Sequence, residues 1–201
     1  MKIFCVGLNY KEHIIEMKHH AFPESPVIFM KPPTALLKNG QPFYYPEFSS
    51  DVHYEGEIVL RVCKNGKKID KKFAHKYYDA FTIGFDFTAR DIQSEQKKKG
   101  WPWEIAKGFD GSAFIGDFIP LEKDKLIAFT IKKNNEIMQQ GDTSMLIFSF
   151  DEIVSYISKF FTLQQGDLIY TGTPQGVGPV QIGDVLEGIV DGNVLVKCEI
   201  K

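Results

Sequence analysis

Hydrophobic and polar positions along this chain alternate more often than they recur at helical spacing. The segment VHYEGEIVLRV, from Val52, reads as a strand with His53, Glu55, Glu57 and Val59 on one face. FTIGFDF alternates again, with Phe81, Ile83, Phe85 and Phe87 on one side and Thr82, Gly84 and Asp86 on the other. Residues 2–6 form a short strand, and a helical pattern over 10–18 follows, with Asn9 and Glu12 placed as a capping box. Six prolines within residues 21–50 argue for short strands and ordered loops. Asn65-Gly66 is a hairpin signal, residues 72–80 suit a short helix, and 88–99 a polar helix ended by Gly100 and Pro102. Strands around an Asn134-Asn135 turn are expected over 128–138. Ser149 and Glu152 then form a capping box for a helix with a buried stripe of Ile153, Val154, Ile157, Phe160 and Phe161. The C-terminal third reads as short strands punctuated by glycine, proline and an Asp191-Gly192 turn. Many strands, few helices and no βαβ alternation predict a mostly β fold with some α, an α+β class. Residues 1–201 show no repeat and no linker and read as a single domain.

Composition narrows the function. Seventeen Phe and eight Tyr suit strands around a bulky core. A net charge of -2 gives no support to a nucleic-acid surface or a polybasic membrane patch. Cys5, Cys63 and Cys198 form no CxxC pair, so neither zinc nor a disulfide framework is suggested. The apolar stretch at the start is too short for a signal peptide or a span, and a soluble, cytoplasmic protein is expected.

Charged residues in unexpected places supply the candidate chemistry. Glu55 and Glu57 lie two apart on a strand, so their Cα atoms are roughly 6.6 Å apart and their side chains face the same way. Two like charges on a partly buried face repel, and a divalent cation removes the conflict. All-oxygen ligands point to Mg²⁺, Mn²⁺ or Ca²⁺ rather than zinc. Two solvated glutamates would be the plainer account of ExE alone. Asp86, in an aromatic strand where aspartate is disfavoured, is either a third ligand or a partner for Arg90. His13 and Glu16 share a helix face, as a general base and its orienting carboxylate do, although a surface pair has the same spacing. Arg90 and Gln93, three apart, can hold a carboxylate. Lys97, Lys98 and Lys99 beside Trp101 and Trp103 read as a solvated helix end, with a lid over an acidic substrate as another option. TGTPQGVGP could turn backbone N–H groups toward an anion but matches no nucleotide-binding motif.

Taken in order, GLNYKEHIIE, KPPTAL, HYEGEIVLRV, GFDFTARDIQ, KKKGWPWEIAKGFD, GDTSMLIFS and LIYTGTPQGVGPV resemble the fumarylacetoacetate hydrolase family over nearly the whole chain. Within it they are most similar to the short acylpyruvate hydrolase and oxaloacetate decarboxylase type. The resemblance implies a mixed β-sandwich roll, a homodimer, and one Mg²⁺ or Mn²⁺ per chain held by Glu55, Glu57 and Asp86. It implies a water-activating dyad of His13 and Glu16, with Lys107 stabilising developing charge. Arg90, Gln93 and Thr173 match positions that contact substrate. One departure stands out: the long family members carry a further metal-binding aspartate seven residues before the catalytic histidine, where this chain has Val6. The chain also lacks their large N-terminal domain. Both features argue against fumarylacetoacetate itself and for a small 2-oxo acid, cleaved or decarboxylated to pyruvate. An isomerase or decarboxylase of dienoic 2-oxo diacids needs the same chemistry, and a metal-stabilised binding protein without turnover is the reading from another class.

Overall fold

The computed structural model describes residues 1–17, 21–122 and 125–201. Its centre is a long antiparallel pair, Gly56–Val62 against Tyr78–Asp86, in which Glu57 faces Gly84 and Ile58 faces Ile83. Around this pair an eight-stranded mixed sheet runs in the order Ile28–Lys31, Ile3–Val6, Leu168–Tyr170, Gly56–Val62, Tyr78–Asp86, Ala113–Ile115, Leu36–Lys38, with Ile119–Pro120 at its side. Ile3–Val6 pairs in parallel with Leu168–Tyr170, and Leu36–Lys38 with Ala113–Ile115. A second, antiparallel sheet holds Glu136–Asp142, Ala128–Lys133, Val185–Val190 and Asn193–Glu199. A third is small: Gly178–Pro179, Val52–Tyr54 and Thr88–Ala89. The mostly β expectation therefore holds.

Strand alternation decides which face meets which layer. Phe81, Ile83 and Phe85 enter one large core with Ile131, Leu186 and Val196 of the second sheet. The other face, with Val59, Tyr170, Ile3 and Cys5, forms a smaller apolar cluster, and Glu57, Gly84 and Asp86 share that face by alternation. The turns behave as their residues require. Asn134 and Asn135, and Asp191 and Gly192, all have positive φ, which suits a two-residue hairpin. Helix α4 (Phe150–Phe160) begins at the Ser149 capping box, with both arms formed.

Several local expectations are corrected. VHYEGEIVLRV is two strands in two sheets, and Glu55 sits at the break between them. Asn65-Gly66 is no hairpin. Gly66 bridges to Leu163, and the chain returns only after a 3-10 turn at Lys71–Lys76. Helix α1 (Lys11–Glu16) is capped by Tyr10 without a side-chain bond. Asn9 instead bonds Phe148 and Thr171, stitching distant loops together. Lys18, expected at the end of that helix, lies outside the described residues. Phe160 is 61% exposed, and Phe161, 38% exposed, lies past the end of α4 with its ring centroid 5.3 Å from that of the buried Phe4.

Candidate metal centre and active site

Glu55, Glu57 and Asp86 converge. Antiparallel register sets Glu55 opposite Asp86, and the Asp86 N–H donates to the Glu55 carbonyl at 2.9 Å. The period of two returns Glu57 to the same face. All three are buried, and one carboxylate oxygen from each lies within 4.8 Å of the others.

Fixed partners hold them. The Lys107 ammonium, from helix α3 (Glu104–Lys107) after α2 (Arg90–Lys99), donates to Glu55 Oε2 at 2.8 Å and Asp86 Oδ2 at 3.0 Å. Arg90 Nη2 donates to Glu55 Oε1 at 2.6 Å and Nη1 to Gln93 Oε1 at 2.7 Å. The Arg90–Asp86 pairing considered as an alternative is thus replaced by Arg90–Glu55. Among the described residues Glu57 has no cation as a hydrogen-bond partner; it accepts the Gly172 N–H at 2.7 Å. Burial pushes Glu55 up, but the charges of Lys107, Arg90 and His13 outweigh it and hold this carboxyl well below the usual range. For Glu57, burial, then Asp86 and Glu55, push the carboxyl well above that range. Burial pulls Lys107 down, yet Asp86 and Glu55 raise it on balance.

Lys31 escaped the sequence reading. Fully buried at the end of strand Ile28–Lys31, it donates to the carbonyls of Ser112 at 2.9 Å, Phe87 at 3.3 Å and Lys107. Its Nζ also lies 2.6 Å from Asp86 Oδ1. Three carbonyls account for its three N–H groups, so the Asp86 contact is a charge contact, and Oδ1 has no hydrogen bond among the described residues. One signal was present in the sequence, a lysine closing the apolar run VIFM ahead of Pro32 and Pro33: a charge where none is expected unless paired.

These residues fit a divalent cation. The ligand atoms are all oxygen, they lie within 4.8 Å of one another, and Glu57 is raised by the charges of Asp86 and Glu55, a repulsion a cation would relieve. Lys107 already bridges two of the carboxylates as a cation would.

The predicted dyad also forms. His13 Nδ1 lies 3.1 Å from Glu16 Oε2 on α1, with His13 buried. Glu16 Oε1 accepts the Gly176 N–H at 2.9 Å. The glycine-rich loop therefore does face anions, but they are the chain's own carboxylates, Glu57 through Gly172 and Glu16 through Gly176. Positive φ at both glycines makes this turn possible. Thr173 Oγ1 donates to Gly56 O at 2.9 Å and accepts from Gln139 Nε2 at 2.8 Å, while Gln139 Oε1 accepts the Gly56 N–H. Thr173 and the buried Gln139, which the sequence did not single out, bind the loop to the ExE strand. A small cavity of about 30 Å³ is lined by His13, Glu55, Arg90, Gln93 and Lys107, with Lys97 and Trp103 among its other walls. Lys97 is exposed with Lys98 and Lys99 in the last turn of α2, as a solvated helix end requires, and it also lines this cavity, where burial, then Arg90, lower its ammonium.

The Fumarylacetoacetate (FAA) hydrolase C-terminal family matches residues 2–200. The chain belongs to the fumarylacetoacetate hydrolase family. It is 42% identical to "Oxaloacetate tautomerase FAHD1, mitochondrial" of Mus musculus, over 99% of this chain and 91% of that protein. It is 40% identical to "Oxaloacetate tautomerase YcgM" of Escherichia coli, over 96% and 90%. Among solved structures, fumarylpyruvate hydrolase from Pseudomonas aeruginosa, in complex with Mn²⁺ and pyruvate, superposes with a TM-score of 0.91 at 36% identity, covering 100% of this chain and 89% of that one. As a member of this family of enzymes, the chain carries its fold and a buried acidic triad suited to a divalent metal. Among the described residues, no helix is long and apolar enough to cross a membrane.

Proposed function

We propose that this chain is a divalent-metal enzyme that interconverts the keto and enol forms of a small 2-oxo acid, oxaloacetate first. The same site cleaves acylpyruvates and decarboxylates oxaloacetate to pyruvate. The supporting observation is the convergence, on one small cavity, of the buried His13, oriented by Glu16, with Glu55 of the three-carboxylate group and its cationic partners. The names of the relatives support oxaloacetate tautomerisation, and the pyruvate-bound fumarylpyruvate hydrolase supports cleavage.

Glu55, Glu57 and Asp86 would hold Mg²⁺ or Mn²⁺. When bound, the cation supplies Lewis-acid polarisation of the 2-oxo group. Nδ1–H of His13, donated to Glu16, leaves Nε2 as the basic nitrogen. In tautomerisation Nε2 takes the proton from the carbon beside the 2-oxo group and passes it, directly or through water, to the oxo oxygen. In an acylpyruvate Nε2 takes a proton from water, the water oxygen bonds to the distal carbonyl carbon, and the carbon–carbon bond breaks to give a carboxylic acid and the enolate of pyruvate, which takes the proton back from Nε2. Loss of CO₂ from oxaloacetate needs no attacking water and no base. Arg90, whose Nε is buried without a partner among the described residues, and Gln93 bind the substrate carboxylate. Lys107 stabilises negative charge developing on oxygen.

The test follows oxaloacetate enol by its ultraviolet absorbance, and pyruvate release from acetylpyruvate and oxaloacetate, each with Mg²⁺, Mn²⁺ and EDTA. Metal-dependent turnover of oxaloacetate enol is expected. His13→Ala should lower tautomerisation and hydrolysis by about 10²–10⁴-fold, the usual contribution of a general base, and largely spare decarboxylation. Equal loss of all three activities refutes the role assigned to the dyad. No turnover of any of these substrates directs the search to dienoic 2-oxo diacids and their 2-hydroxy enol forms, such as that named in the 2-hydroxyhepta-2,4-diene-1,7-dioate isomerase from Mycobacterium marinum, which superposes with a TM-score of 0.86 at 34% identity.

A further inference from the structure

Two cavities meet at one aromatic pair. The cavity touching Glu55, Arg90 and Lys107 has a volume of about 30 Å³, close to the share of one water molecule in the liquid. A groove of about 490 Å³ lies beside it, lined by residues 27–30 and 100–104. Phe29 and Trp103 are the two residues that line both. Their ring centroids are 5.9 Å apart, tilted by 60°. A methyl group built at Gly7, a lining residue of the small cavity, would meet Trp103 Cζ3 at 3.7 Å, so the edge of the indole forms part of that boundary. Cations brace the pair: Lys97 Nζ lies 5.8 Å from the centre of the Trp103 ring, and Lys107 Nζ 5.2 Å from that of Phe29.

The lining of the small cavity divides by chemistry. Its cations, Arg90, Lys97 and Lys107, suit the carboxylate and oxo oxygens of a 2-oxo acid. Leu8, Met17, Phe29 and Trp103 remain for the distal end. A substrate fits only as side chains give way, and the aromatic pair is the boundary with a large open volume behind it.

We infer that Trp103, backed by Phe29, determines how long the distal group of the substrate can be. The native chain takes short 2-oxo acids, and the indole shuts longer apolar chains out of the groove. This inference rests on the functional reading above. Removing the indole joins the cavity to the groove and lets a linear chain run along residues 27–30.

The experiment measures binding by calorimetry with Mg²⁺ present, using pyruvate, 2-oxobutanoate, 2-oxohexanoate and 2-oxooctanoate. The proteins are the native chain, Trp103→Ala, Trp103→Leu as the milder substitution should alanine impair folding, and Trp101→Ala. Native affinity is expected to fall along the series. In Trp103→Ala it should rise by about fourfold per added methylene, roughly sixtyfold over three methylenes. Trp101, 54% exposed and lining only the groove, should leave the native profile unchanged when replaced. Pyruvate binding with the same chain-length profile in the native chain and both Trp103 variants overturns this inference alone. A native chain that binds no member of the series overturns the functional reading, and this inference with it.

Discussion

Replacing Lys31 by methionine keeps most of the length and apolar character of the side chain but removes its charge and three donors, so the structure yields a magnitude. Ser112 O would keep the Phe87 N–H at 2.9 Å, and Lys107 O would keep the Ser112 hydroxyl at 2.9 Å. Of the three carbonyls only Phe87 O is left with no donor among the described residues, at a cost of about 1–3 kcal/mol. Breaking a buried ion pair by removing one partner costs about 3–5 kcal/mol. The low end applies, because Asp86 keeps Lys107 at 3.0 Å. A net loss of about 4 kcal/mol is expected, a large part of the roughly 5–15 kcal/mol that holds such a protein folded. At about 2–4 °C per kcal/mol for a chain of this size, Tm should fall by roughly 8–16 °C. Urea unfolding of both proteins in EDTA, with the slope unchanged, measures the difference directly. A Lys31→Met midpoint equivalent to a loss below about 1 kcal/mol would refute the view that this buried ammonium pins Asp86 and the end of α3 together.

Other consequences follow from the same geometry. Mg²⁺ or Mn²⁺ at a hundredfold excess over Kd should stabilise the native chain by about 2.7 kcal/mol, seen as a rise in Tm. Glu55→Gln should abolish that rise, and an unchanged shift in this variant would place the cation elsewhere. Gly176→Ala should disturb the loop twice over: φ there is +97°, and a Cβ would lie 2.1 Å from Met138 O. Moving the Gly176 N–H off Glu16 should lower kcat for tautomerisation by more than it changes Mg²⁺ affinity, so kinetics and calorimetry on one preparation test it. Glu152 is held below its usual pKa by its hydrogen bonds to Lys71 and to the Ser149 N–H. Its stabilising effect is therefore full above the unfolded value of about 4.5 and is lost as pH falls below that, toward the folded value. Because the Lys71 and Glu152 side chains are 58% and 38% exposed, Glu152→Ala should cost only about 1 kcal/mol at pH 7. Melting at pH 7 and at pH 3 should show the two proteins converging, and a constant gap would count against the cap.

Local patterning determined much of this protein. Period-two alternation assigned Phe81, Ile83 and Phe85 to the core and Asp86 to the opposite face, because neighbouring side chains on a strand must diverge. The same rule brought Glu55 and Glu57 together, and helical spacing brought His13 to Glu16. Paired positive-φ residues marked two hairpins, and Ser149 with Glu152 marked the start of α4. Each of these signals lies within a few residues, where backbone geometry alone fixes the distances.

Other features depended on partners far away in the chain. Asn65-Gly66 carries a hairpin dipeptide, yet pairing with Leu163 overrides the local turn preference. Asn9 resembled a cap, but acceptors at Phe148 and Thr171 claimed it. Nothing near Lys31 in the sequence announces Asp86, Phe87, Lys107 and Ser112 as its partners, and nothing near Gly172 announces Glu57. Trp103 meets Phe29 only because α3 packs over the strand that ends at Lys31. The chain's own order thus determined which residues could do chemistry and which face of each element carried them. Only the tertiary structure decided which charges neutralise one another and what walls the cavity, since both depend on long-range packing that no local period encodes.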